Sequence, residues 1–333
     1  MLQIDQILNI IIVVSSLVLN ILVLSLFSHF KVNGKLNPAN WLIFIQCGID
    51  IVFSITSFIF HAELVTINKY AVFYLINFDS VNLPVIVYYL FLWFYMAVAY
   101  INPTIVATML YVRYQTIVNT GKAHDMKTVL KILISNCLFV VADVFMSMYN
   151  ALEFDGDQNI LYKFDQINNY TDTYVTKDGK ALVFNVANIV YVIGIAVLVI
   201  YISSMFGVIA TFLLKYRKFM IDNRSHISEE TYLLNKEFFN ILFLQTISPI
   251  LFLLAPFCIV LVMVLFQIPA RNLLTYVLIS GSCVPLMNAL FILLFLKKSR
   301  KILKDRGKRL VNFILCKPDQ VIIMIPQSGN PTV

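Results

Sequence analysis

Two carboxylates stand where carboxylates are costly. Asp50 and Asp143 lie inside long apolar runs of a 333-residue chain. A charge near a bilayer centre costs at least about 2.5–3.5 kcal/mol on insertion scales, so an acid kept there suggests function. Three asparagines, Asn20, Asn102 and Asn288, fall at the depth of Asp50, counted from the basic ends of their runs. At a rise of about 1.5 Å per residue, all four sit roughly 12–17 Å above that boundary. Four polar groups at one level can share a network that holds water or a cation, or that carries Asp50 as the neutral acid. A static hydrogen-bond clamp between helices explains the same residues equally well. Asp143 lies nearer the opposite face, where it reaches outer water or, on a second reading, contacts a ligand.

A second pattern occupies the third apolar run. Tyr88, Tyr95, Asn102 and Arg113 recur at intervals that, at about 100° per residue, bring them within roughly 40° of one another on a helix. The stripe leads from aromatics suited to ligand binding, or simply to packing between helices, through Asn102 to a basic residue. Prolines mark hinges, because proline frees a carbonyl and clashes with the preceding turn. Asn102-Pro103 is expected to break the third helix. Pro249 and Pro256 bend the sixth and Pro285 the seventh.

No catalytic or metal-binding constellation accompanies these residues. His29, His61, His124 and His226 are scattered and match no zinc pattern, and no nucleotide-binding glycine loop or nucleophile elbow occurs. Four of the five cysteines, Cys47, Cys137, Cys258 and Cys283, lie within apolar runs, where cysteine acts as a small hydrophobe. The expectation is a chain without cofactor, metal or enzymatic activity. A formal charge of +7 admits nucleic acid in principle. The Lys and Arg residues, however, flank the apolar runs, which reads as membrane topology.

The elements that position these groups follow from composition. Hydrophobic residues make up 60% of the chain and charged ones 13%, against about 25% charged in a soluble domain. The surplus must face lipid. Seven runs, at 7–28, 41–60, 84–112, 132–150, 183–214, 238–266 and 272–296, approach or exceed the roughly 20 residues that span a hydrocarbon core. Residues 70–78 are apolar but too short to cross as a helix and read as an interfacial loop. Twenty Lys and Arg residues fall on one side of the spans and five on the other. The positive-inside rule therefore places the N-terminus outside and the C-terminus in the cytosol. The sequon at Asn169 lies outside, open to glycosylation, and that at Asn223 lies inside. The fold class is an all-α membrane bundle of seven helices over residues 1–296. A basic tail, 297–333, carries an amphipathic helix for the anionic inner leaflet, which Gly307 is expected to interrupt. Cys316, beyond that helix, is a palmitoylation site or a free thiol.

One stretch resembles a family. Residues 228–249, SEETYLLNKEFFNILFLQTISP, are similar to the signature of the nematode serpentine chemoreceptors of the Str superfamily. Ser228, Thr231, Phe238, Leu242, Gln245 and Pro249 fall in register, with Asn235 where the family usually has Gln. The Phe238-Phe239 pair and Pro256 resemble the srh and sri branches, as does the acid at Asp50. Tyr111-Val112-Arg113-Tyr114 is similar to the family's end of helix 3, at the D-R-Y position of rhodopsin-like receptors, with Val112 in place of the acid. The resemblance covers roughly residues 6–306. It implies a G-protein-coupled receptor for an odorant or pheromone, in the plasma membrane of sensory neurons and of their cilia. It further implies ligand entry from outside and a heterotrimeric G protein at Arg113 and Tyr114. No outer cysteine is present for a disulfide between helix 3 and the second outer loop. A transporter or channel built on the same spans is the alternative, and a seven-helix enzyme or receptor chaperone is more distant. Ligand-dependent G-protein activation separates the receptor from these.

Overall fold

The computed structural model describes residues 4–30, 38–67, 70–75, 77, 84–118, 126–152, 182–185, 189–266, 268 and 272–314. Each long apolar run folds as a helix, because in lipid the backbone must satisfy its own hydrogen bonds. Helix α1 spans Ile4–Leu24, α2 Pro38–Phe60, α3 Val85–Val118, α4 Met126–Leu152 and α5 Ile189–Asp222. The sixth, α6, is an α-helix over Glu229–Pro249, a π-helical turn over Ile250–Leu254 and an α-helix over Ala255–Leu265. The seventh, α7, runs Asn272–Gly281 and Cys283–Phe295, and α8 follows at Lys297–Ile314. Among the described residues, seven helices are long and apolar enough to cross a membrane. The chain is a multi-pass membrane protein.

The proline expectations resolve differently from one another. Pro249 and Pro256 bracket the π-helical turn of α6, which absorbs the missing donors within one wide turn. The helix at α7 lapses at Ser282, three residues before Pro285. By contrast α3 stays helical straight through Pro103, so the break expected there is corrected. Gly307 likewise leaves α8 uninterrupted over its 18 residues.

The interfacial loop expected over 70–78 is corrected at 70–75. Tyr70–Leu75 is strand β2, paired antiparallel with β1, Ala62–Ile67, and with β3, Leu182–Asn185. The β2 backbone is paired on both sides, with the adjacent β1 and with β3 from far along the chain, a partner no local pattern reveals. Ala62 pairs with Leu75 and Leu64 with Phe73, so these four share one face. That face packs on Phe53, Phe60, Tyr88, Leu92 and Tyr95 in a core at the hairpin end of the bundle. His61 makes the turn from α2 into β1 at φ +38°, a conformation uncommon outside glycine. Its Nδ1 accepts from Asn9 Nδ2 at 3.0 Å, which ties the turn to α1. A second core, around Leu42, Met109, Leu110, Phe238 and Ile292, fills the opposite end, where Arg113 lies.

Candidate functional site

Asp50 is fully buried in α2, and its carboxylate gathers two amides. Asn102 Nδ2 of α3 donates to Oδ1 at 2.6 Å. Asn288 Nδ2 of α7 donates to Oδ2 at 3.1 Å and lies 3.5 Å from Asn102 Oδ1. Three of the four residues grouped by depth therefore meet directly. The fourth, Asn20, is fully buried nearby but binds elsewhere. Its amide donates to Ser16 O at 3.0 Å and to Pro285 O at 3.2 Å. That second bond occupies the backbone at the α7 proline.

Serines missed in the sequence extend the cluster. Ser54 Oγ donates to Asp50 O at 2.8 Å and meets Ser16 Oγ at 2.8 Å. Ser57 Oγ meets Ser282 Oγ at 2.6 Å, at the lapse in α7. Gln46, Asp50, Ser54 and Ser57 thus form one buried polar face along α2, which His61 continues in the turn after it. Their spacing of four, four, three and four residues is a helical period, and it was legible in the sequence. Helices α1, α3 and α7 supply partners for Asp50, Ser54, Ser57 and His61, whereas the buried Gln46 amide finds none among the described residues.

Toward the hairpin end the stripe enters an aromatic layer. Tyr95 is buried, stacks on Phe53 at 5.6 Å between centroids and places its hydroxyl beside Ser57. Tyr88 is also buried, and its hydroxyl accepts from Leu75 N at 2.6 Å, holding β2 onto α3. Phe60 and Phe91 stack at 5.1 Å. Thr104 Oγ1 and Tyr201 OH meet at 3.0 Å and link α3 to α5. Asp143 is half-buried on α4.

At the other end, Arg113 is held without an acid. Its Nη2 donates to Asn40 Oδ1 of α2 at 2.7 Å, and its guanidinium carbon lies 3.6 Å from the centre of the Phe238 ring of α6. Val112, where an acid would stand in a D-R-Y sequence, is fully buried among apolar side chains. Tyr114 packs at 5.6 Å from Phe212 of α5. Tyr216 of α5 donates its hydroxyl to Asn235 O at 3.2 Å and stacks on Phe239. Asn40 and Phe238 are functional candidates that spacing could not pair, because they lie on different helices. Asn223 folds back on Phe219 O at 3.0 Å. Asn169 and Cys316 lie outside the described residues.

The buried polar column thus runs between an aromatic layer and the capped Arg113, within a bundle of apolar helices. Residues 5–304 match the serpentine type 7TM GPCR chemoreceptor Str family. The chain belongs to the Str family. This Str receptor is similar in fold to the crystal structure of squid rhodopsin, with a TM-score of 0.62 at 12% identity. The match covers 95% of this chain and 87% of that one. No curated protein matches it in sequence. The receptor is thus a G-protein-coupled receptor of the chemoreceptor type, built on the rhodopsin-like bundle.

Proposed function

We propose that this receptor detects a small-molecule odorant or pheromone and activates a heterotrimeric G protein, without catalysing a reaction. The hairpin end faces outward and the Arg113 end faces the cytosol, as the excess of basic residues beside Arg113 favours. The carrying observation is the buried polar face of α2, which runs from the aromatic layer to the level below Asp50. Ligand contacts at Tyr95, through rearrangement around the buried Tyr88, alter the Ser57–Ser282 pair at the lapse in α7. That change reaches Asp50, Asn102 and Asn288, and α6 then turns about Pro249, Pro256 and its π-helical turn. Movement of Phe238 uncovers Arg113 and Tyr114 for the G protein. The π-helical turn supports this, because a wide turn between two prolines is a natural place for a helix to pivot. Sensory-neuron cilia are the proposed membrane, and the tail from residue 297 the cytosolic portion.

The test is a ligand screen in a heterologous cell with a G-protein readout, run beside Arg113→Ala. An activating compound whose signal is lost in Arg113→Ala, at unchanged surface count and unchanged binding, is the expected result. Compound flux across the membrane without nucleotide exchange would favour a transporter instead.

A further inference from the structure

Beside Phe238, which packs on Arg113, α6 carries an acid that binds elsewhere. Glu237, adjacent to Phe238, turns to α8, where its Oε2 accepts from the backbone N–H of Lys297 at 3.0 Å. Lys297 is the first residue of α8, so the carboxylate caps a helix N-terminus, where unpaired donors and the helix dipole both favour an anion. The far part of α8 is tied to the end of α1. Arg306 Nη1 donates to Ser25 Oγ at 2.7 Å and Nη2 to Ser25 O at 3.1 Å. Lys298 lies 5.1 Å above the Phe30 ring in the turn that follows α1. Because α8 is unbroken over Lys297–Ile314, the nine helical steps from Lys297 to Arg306 make a rod of about 13.5 Å.

We propose that α8 is a strap that holds α6 closed, anchored to α1 by Arg306 and to α6 by Glu237. Consecutive residues, Glu237 and Phe238, pin α6 to α8 and to α3 respectively, so α6 cannot leave Arg113 without uncapping α8. The proposal rests on the Arg113 end being the end that opens. The strap itself is a property of the bundle and needs neither ligand nor G protein to be measured.

Hydrogen–deuterium exchange on the full-length receptor in phosphatidylcholine nanodiscs, without ligand, tests it. Glu237→Ala removes the acceptor. Lys297→Pro removes the matching donor while leaving a residue that suits the first turn of a helix. Each is expected to speed exchange about fivefold, the factor for a cap of about 1 kcal/mol, in the Glu229–Pro249 segment of α6 as well as in the first turn of α8. The double variant is expected to exchange no faster than either single one, because both remove the same bond. Arg306→Ala, which leaves the cap atoms in place and lies on an exposed helix, is expected to loosen the same α6 segment. Faster exchange confined to α8, additive effects in the double variant, or an unchanged α6 in Arg306→Ala would each overturn the strap. Loss of signalling with these exchange patterns intact bears on the G-protein reading alone.

Discussion

The Arg113 guanidinium sits face-on to Phe238, 3.6 Å from the ring centre, while its Nη2 donates to Asn40 at 2.7 Å. A cation over an aromatic face, partly withdrawn from water, gains about 1–2 kcal/mol. The contact therefore holds α3 to α6 without a salt bridge, and a neutral amide completes it. Phe238→Ala should raise ligand-free nucleotide exchange by about five- to thirtyfold, the factor that 1–2 kcal/mol represents. Asn40→Asp should do the reverse, because it sets a carboxylate against the guanidinium and strengthens the closed state. Basal exchange in membranes normalised to surface count measures both. Equal basal activity in Phe238→Ala and the parent would mean that the ring is only packing.

Tyr88 carries a different expectation. Its hydroxyl accepts from Leu75 N–H, and both residues are buried at the junction of β2 and α3. Tyr88→Phe keeps the ring and strands a backbone donor, a loss of about 1–3 kcal/mol. Lower thermal stability in detergent is expected, with little loss of ligand efficacy at matched surface count. Tyr95→Phe should show the opposite balance, because the Tyr95 hydroxyl lies beside the Ser57–Ser282 pair while the hairpin bond is made by Tyr88. A shift in potency without a loss of stability is the signature to look for in a dose–response series.

The helices were legible because lipid forces the backbone to satisfy itself within each run, which makes length and composition decisive. The polar centre was legible for a related reason. A fixed rise per residue converts sequence position into depth, and depth brought Asp50, Asn102 and Asn288 together. Depth does not report helix rotation, so the bonding of Asn20 to Ser16 and Pro285, away from Asp50, could not be read. The same limit hid the Asn40 and Phe238 partners of Arg113. Strand β2 was missed although its hairpin partner β1 is adjacent, because Tyr70–Leu75 is apolar throughout and lacks the alternation that marks a strand, and its second partner β3 lies more than a hundred residues away. Pro103 failed as a break because α3 is packed along its length by α2, α4 and α5, and such packing outweighs one missing hydrogen bond.

Topology is tested at two asparagines. Asn169 should carry a glycan and Asn223 should not, since the basic bias puts them on opposite sides of the membrane. Endoglycosidase treatment of receptor from intact cells, with Asn169→Gln alongside, reads this as a mobility shift. A shift that survives Asn169→Gln and vanishes in Asn223→Gln would reverse the orientation. It would also move the proposed coupling face to the outside.

Asp50 separates a switch from a clamp. Its carboxylate accepts from Asn102 at 2.6 Å and from Asn288 at 3.1 Å, and these bonds join α2 to α3 and α7. An ionised group fully buried among neutral amides is tolerable only with such donors around it. Asp50→Asn keeps the shape, and one amide oxygen can still accept from one neighbour. As a switch, the site should then shift basal exchange and ligand potency, and with them any dependence of the response on sodium or on pH. As a clamp, it should leave the dose–response curve in place. Asp50→Leu distinguishes the two further, because it strands the Asn102 and Asn288 donors in an apolar surround at about 1–3 kcal/mol each. A fall in surface count for Asp50→Leu, together with a silent Asp50→Asn, would leave the amides as structural partners and remove Asp50 from the signalling path.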